Sequence, residues 1–155
     1  MEQKNLPINK GIPHNERYRL ANRDADEIHA ETGELHAFYG SLRKGEYNAS
    51  RTREGYEYIK TTTITGYKLF GLYSYPAAVY TGNNDDTMVV DIFRITDANT
   101  AKGIYGMELG ASYHHKKVVI DNEEHSIYLF DDGWYNNKPV PSGDWSKRQE
   151  LEVVS

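Results

Sequence analysis

The sequence predicts an α+β fold, a small mixed or antiparallel β-barrel with few flanking helices, and three observations lead there. Short runs rich in β-branched and aromatic residues recur between His36 and Phe130, separated by turns of glycine, asparagine and aspartate. One internal stretch, Ala98 to Glu108, repeats its apolar residues at helical spacing instead. The length, 155 residues, suffices for one core and would cramp two.

Residues 1–35 read as a polar N-terminal extension, partly ordered or disordered, and 36–155 as the domain. Pro7, Gly11 and Pro13 break early regularity, while Tyr18, Ala21, Ala25 and Ile28 give Asn15 to Thr32 a weak helical spacing. His36 to Tyr39 is the first core strand. Glu46 to Lys60 is expected as a loop and short helix carrying Tyr56, Tyr58 and Ile59. Thr61 to Tyr75 holds one or two strands, with Gly66 and Gly71 as bends, and Pro76 interrupts before Ala77 to Thr81 resumes extended structure. Gly82-Asn83-Asn84-Asp85-Asp86 is a turn. Met88 to Ile95 is apolar on both alternating sets except for Asp91 and Arg94, as a central strand should be, which makes Asp91 an oddity. Asp97 is the expected N-cap of the helix and Gly110 its expected close. His115 to Ile120 and His125 to Phe130 are the last strands, joined by the turn Asp121 to Glu124.

Composition excludes several function classes. Net charge is -5 with the cations scattered, which argues against a nucleic-acid partner. There is no cysteine, hence no disulfide, thiolate nucleophile or cysteine-ligated metal. No apolar run is long enough to cross a bilayer, and Met1 to Asn5 lack a signal-peptide hydrophobic region, so the expected location is the cytoplasm, with no membrane partner.

Two places point to chemistry. At Phe38-Tyr39-Gly40-Ser41-Leu42-Arg43-Lys44-Gly45 an apolar strand stops at a small-residue turn followed by two cations. Glycine there lets backbone approach a ligand, and the turn amides can converge on an anion or a carbonyl oxygen. Glu108 follows Ala101, Ile104 and Tyr105 on the apolar helix face and lies at the helix C-terminus; both features disfavour an ionised carboxylate and predict a raised pKa, as a base working near neutral pH requires. The alternative is a glutamate whose stem packs while its head reaches water.

In order, the Tyr-Gly-Ser-Leu turn, Gly66-Tyr67-Lys68-Leu69-Phe70, Tyr75-Pro76-Ala77, Val89 to Ile95, the Glu108 segment and Ser142-Gly143-Asp144-Trp145 resemble the γ-glutamylcyclotransferase-like (AIG2-like) family. The resemblance runs from about Phe38 to Trp145. It implies a small β-barrel with a pocket at one end, a small-molecule γ-glutamyl substrate and no cofactor. It also implies that Tyr39, Gly40, Ser41 and Leu42 hold the amino-acid end of the γ-glutamyl group, that Glu108 is the general base, and that Tyr113 lines the pocket. Asp91 matches an acidic position on the family's central strand. Leu109 stands where the family places glycine, with Gly110 one residue later, a shift that could tilt the carboxylate away.

The implied reaction is cyclisation of a γ-glutamyl compound to 5-oxoproline with release of its amine. The rivals are a catalytically inactive member that captures a small ligand and an interaction domain that meets its partner through the N-terminal segment. His114-His115, adjacent on a strand and so on opposite faces, could not readily share a metal. Ser41 has no histidine placed to activate it, Asp131-Asp132-Gly133 reads as a solvated turn, and Asp144-Trp145 as a fastening for the tail.

Overall fold

The computed structural model describes residues 22–40, 42–44, 53–72, 75–130, 139–140 and 142–147. Ser41, residues 1–21 of the extension, 45–52 of the expected loop and helix, and the turn at 131–133 lie outside the described residues. The elements are α1 (Ala25–Thr32), β1 (Leu35–Phe38), β2 (Tyr56–Thr65), β3 (Tyr67–Leu72), β4 (Tyr75–Tyr80), β5 (Thr87–Ile95), α2 (Ala98–Gly110), β6 (His114–Ile120), β7 (Glu123–Leu129) and a short 3-10 helix, Trp145–Lys147.

The class is α+β. Five strands form a sheet in the order β2-β5-β1-β7-β6, antiparallel except for the β1–β7 pair, and β3 and β4 form a separate hairpin. The expected barrel is not closed by a ladder, since β2 and β6 do not pair among the described residues. An ion pair between Lys60 on β2 and Asp121 after β6 nevertheless links the two ends of the sheet order, so the sheet curls without sealing. Alternating patterns identify strands but do not specify whether the outermost two meet.

β5 is interior, as its apolar pattern predicts, with Met88, Val90, Ile92, Phe93 and Ile95 buried. The helix expected within Glu46 to Lys60 is corrected: residues from Tyr56 onward are strand. Tyr56 and Tyr58 alternate toward Phe93, one stacked on it at 4.4 Å and the other edge-on at 5.7 Å, and that period of two outweighs the charged residues between and after them. Two punctuation marks are also corrected. Gly71 and Pro76 are neither bend nor break but partners in the β3–β4 ladder, where a two-stranded edge tolerates a missing N–H. The last turn is tighter than expected, with Asp121 and Asn122 alone at positive φ (54° and 68°), as a two-residue hairpin requires.

α1 begins at Asp24, whose side chain accepts the Asp26 and Glu27 amides, and docks by burying Ile28 completely. Its far end is fastened where the Thr32 carbonyl accepts the Ser126 hydroxyl (2.5 Å) and the Lys117 ammonium (2.8 Å). The end of the polar extension thus packs on the domain. No helix among the described residues is long and apolar enough to cross a membrane.

Candidate active site

Asp97 caps α2 by accepting the Thr100 amide at 2.9 Å, and the helix then buries Ala101, Ile104, Tyr105 and Leu109. Its ending is corrected in detail. Gly110 is the last helical residue, and the left-handed turn falls on Ser112 (φ 78°). The Glu108 carbonyl accepts both the Ala111 amide (3.2 Å) and the Tyr113 amide (2.9 Å), which folds Tyr113 back beside Glu108.

That reversal builds one wall of a cavity of about 420 Å³. The opposite wall is the end of β1 and the turn after it, Tyr39, Gly40 and Leu42, while Pro76 and Tyr128 border it from β4 and β7. Glu108, Tyr39, Gly40, Leu42 and Tyr113 are therefore brought together on a single cavity. Leu109 is buried in the helix, so the shifted glycine leaves Glu108 on the cavity wall.

Apolar surroundings set the electrostatics. Burial pushes the Glu108 carboxyl up to about 8, and its side chain has no hydrogen-bond partner among the described residues. Desolvation is the cause of that shift. Burial likewise holds the Tyr39 and Tyr128 phenols well above their usual range, with the Glu108 charge adding to both. These hydroxyls stay protonated, so neither offers the cavity a phenolate.

Rigid contacts hold this frame. The Tyr39 hydroxyl donates to the Tyr128 carbonyl at 2.6 Å, and the Tyr113 hydroxyl donates to the Pro76 carbonyl. A Cβ on Gly40 would lie 2.6 Å from the Pro76 ring, so only glycine allows the β4 proline to seat against the turn. The Gly40 carbonyl accepts the Arg43 amide at 3.0 Å, closing the turn, and the amides of Gly40 and Leu42 donate to no acceptor among the described residues. Gly40 and Leu42 are buried and line the cavity, and amides without a protein acceptor at such positions are available to a ligand anion or carbonyl oxygen.

Sequence reasoning missed Tyr128, Pro76 and Met107 as cavity residues; a tyrosine within a strand pattern carries no signal separating a pocket wall from core. A second constellation has the outline of a catalytic triad. His115 Nε2 lies 2.7 Å from Ser126 Oγ, and His115 Nδ1 lies 3.8 Å from Glu31. Ser126 is wholly buried and spends its proton on Thr32, while burial lowers His115 to about 4, so the group is a fastening between α1 and the sheet. Among the described residues no three His, Asp or Glu side chains converge as a metal site.

Comparisons with known proteins bear on this arrangement. The structure is similar to that of an uncharacterised protein from Pyrococcus horikoshii (TM-score 0.62, 24% identity, covering 79% of this chain and 95% of that one). It is also similar to the protein YtfP of Escherichia coli (TM-score 0.57, 25% identity, 74% and 98% covered). An AIG2-like protein from Mus musculus shares the fold at 12% identity (TM-score 0.57, 68% and 84% covered). No curated protein matches the sequence. Residues 36–147, which begin at β1 and end with the 3-10 helix, match the family model described as gamma-glutamyl cyclotransferase, AIG2-like, and the chain belongs to that family.

Proposed function

We propose that the protein is a cyclotransferase that converts a γ-glutamyl amine or peptide into 5-oxoproline and the free amine, with Glu108 as general base. The observation that carries this reading is that an unpartnered carboxylate and a turn with unused amides face one cavity. A γ-glutamyl group brings an ammonium that needs a base and a carboxylate that needs donors, and the cavity offers one of each. Tyr39 and Tyr113, locked by their hydroxyls, shape the wall between them.

The steps balance without a cofactor. Glu108, largely neutral in the empty cavity at pH 7, ionises as a substrate ammonium approaches, because an adjacent cation favours the charged carboxylate. It removes one proton from the ammonium, and the freed amine attacks the γ-carbonyl to form a five-membered ring and an oxyanion. Nucleophile and electrophile belong to one molecule, so holding the folded conformer supplies much of the acceleration. Turn amides at Gly40 and Leu42 stabilise the substrate carboxylate or the oxyanion. Collapse of the oxyanion breaks the original C–N bond as the proton held by Glu108 passes to the departing nitrogen. The ring nitrogen, left with two hydrogens by the attack, then gives one to the Glu108 carboxylate, which hands it to the released amine as that leaves as an ammonium. One carboxylate serves every transfer.

A panel of γ-glutamyl amines and peptides, scored by 5-oxoproline release, tests the reading. Glu108→Gln should reduce turnover at least about a hundredfold while ligand binding persists. For the wild type, kcat/KM should rise with pH through about 8, where the free carboxyl ionises. Ligand-induced melting shifts without product anywhere in the panel would make the protein a binding module instead.

A further inference from the structure

We infer that Asp91 is a positioning residue for the Gly40–Lys44 turn, acting through Arg43 and the Lys44 backbone. It is a carboxylate with 2% of its side chain exposed, placed in the interior strand of the sheet. Burial of such a group is costly unless its lone pairs are filled, and here they are. Asp91 Oδ2 accepts the Lys44 amide at 2.8 Å and Arg43 Nε at 3.2 Å; Oδ1 accepts the Thr61 hydroxyl at 2.6 Å and Arg43 Nη2 at 3.5 Å. Arg43 Nη1 reaches past it to Asp144 Oδ1 at 2.6 Å, and Asp144 is held in turn by the Ser146 amide and hydroxyl.

Peptide planes show what this achieves. The plane between Leu42 and Arg43 is clamped at both ends, its carbonyl accepting the Tyr56 hydroxyl at 2.6 Å and its N–H donating to Gly40. The next plane, between Arg43 and Lys44, is clamped by Asp91. Both described backbone amides after Leu42 in the turn are consumed, whereas those of Gly40 and Leu42, residues that line the cavity, are not. A hydrophobic core residue at position 91 could match the burial but could not orient those planes. The tail takes part through Asp144, whose approach depends on Gly143: at φ 70° its Cα lies so close to β5 that a Cβ would stand 2.2 Å from the Thr87 carbonyl oxygen. Asp144-Trp145 therefore fastens the tail and steadies the turn through the same guanidinium.

This inference rests on the proposed cyclotransferase reading only for its kinetic consequence, and its test has an arm that needs no substrate. In Asp91→Asn, hydrogen exchange at the Arg43 and Lys44 amides should accelerate at least about tenfold while the β7 amides keep their protection. With a γ-glutamyl substrate, KM should rise about tenfold, and the rise of kcat/KM through about pH 8 should keep its midpoint, because Glu108 is untouched. Should Asp91→Asn fail to fold, Asp144→Asn loosens Arg43 from the other side and is read in the same way. Unchanged exchange at the Arg43 and Lys44 amides, or acceleration spread equally over β7, would overturn the proposal. A wild type that releases no 5-oxoproline would overturn the cyclotransferase reading and leave the exchange result to decide this one.

Discussion

Glu108 and Asp91 are two carboxylates in the same small domain, one half-buried on a cavity wall and the other fully buried, and their surroundings are opposite. Around Asp91 stand a guanidinium, a hydroxyl and a backbone amide within 3.5 Å, while around Glu108 stand apolar side chains and an open cavity. A fully partnered carboxylate holds structure together; an unpartnered one keeps its proton affinity for something that arrives later. The contrast predicts opposite signs on mutation. Asp91→Ala should destabilise the fold by about 3–5 kcal/mol, since it strands Arg43 beside one remaining carboxylate.

Glu108→Gln should do the reverse, with a pH dependence that identifies the cause. The folded pKa, about 8, lies above the ordinary 4.5, so wild-type stability is undiminished below pH 4.5 and falls as pH rises toward 8. Glutamine does not titrate. The variant should therefore gain on the wild type across that window, by an amount on the order of 4 kcal/mol at its alkaline end. Denaturant midpoints at pH 4 and pH 8.5 measure it. A constant difference between the two would mean that Glu108 reaches water in the folded state.

The next effect is smaller and concerns the turn wall of the cavity. Gly40→Ala places a methyl against the Pro76 ring and should cost about 1–3 kcal/mol, with KM rising as the turn is pushed outward. Pro76→Ala removes the two nearest ring atoms, and the third, its Cβ, already sits at 3.9 Å, an ordinary contact. The double variant should recover most of the loss made by Gly40→Ala, a coupling that a double-mutant cycle on melting temperature and KM reads directly. Additive losses would show that the glycine is needed for its backbone freedom instead of for the room it leaves.

How much of this was legible beforehand follows from the range of the interactions involved. β5 and α2 were, because each carries its own period, and so was the position of Glu108 at the end of the helix face of Ala101, Ile104 and Tyr105. Tyr56 to Lys60 was not, since an exposed edge strand with a bulge at Ile59 shows alternation only once Phe93 stands beneath it. Asp91 stood out as an anomaly, but its partner lies 48 residues away and nothing local to either residue names the other. Tyr128 was invisible for a similar reason. In a strand of buried residues a pocket tyrosine and a core tyrosine look alike.

The smallest effect contrasts two tyrosines on the same cavity. Tyr39 gives its hydroxyl to the Tyr128 carbonyl, whereas the Tyr128 hydroxyl is buried with no hydrogen-bond partner among the described residues. Removing a satisfied donor leaves a buried carbonyl unpaired, so Tyr39→Phe should lose about 1 kcal/mol. Deleting an unsatisfied hydroxyl relieves a desolvation cost that nothing repays, so Tyr128→Phe should be neutral or gain up to about 1 kcal/mol. Both keep the ring that walls the cavity, and the sign of the difference in melting temperature is the measurement. A loss in Tyr128→Phe as large as that in Tyr39→Phe would mean that its hydroxyl finds an acceptor in solution.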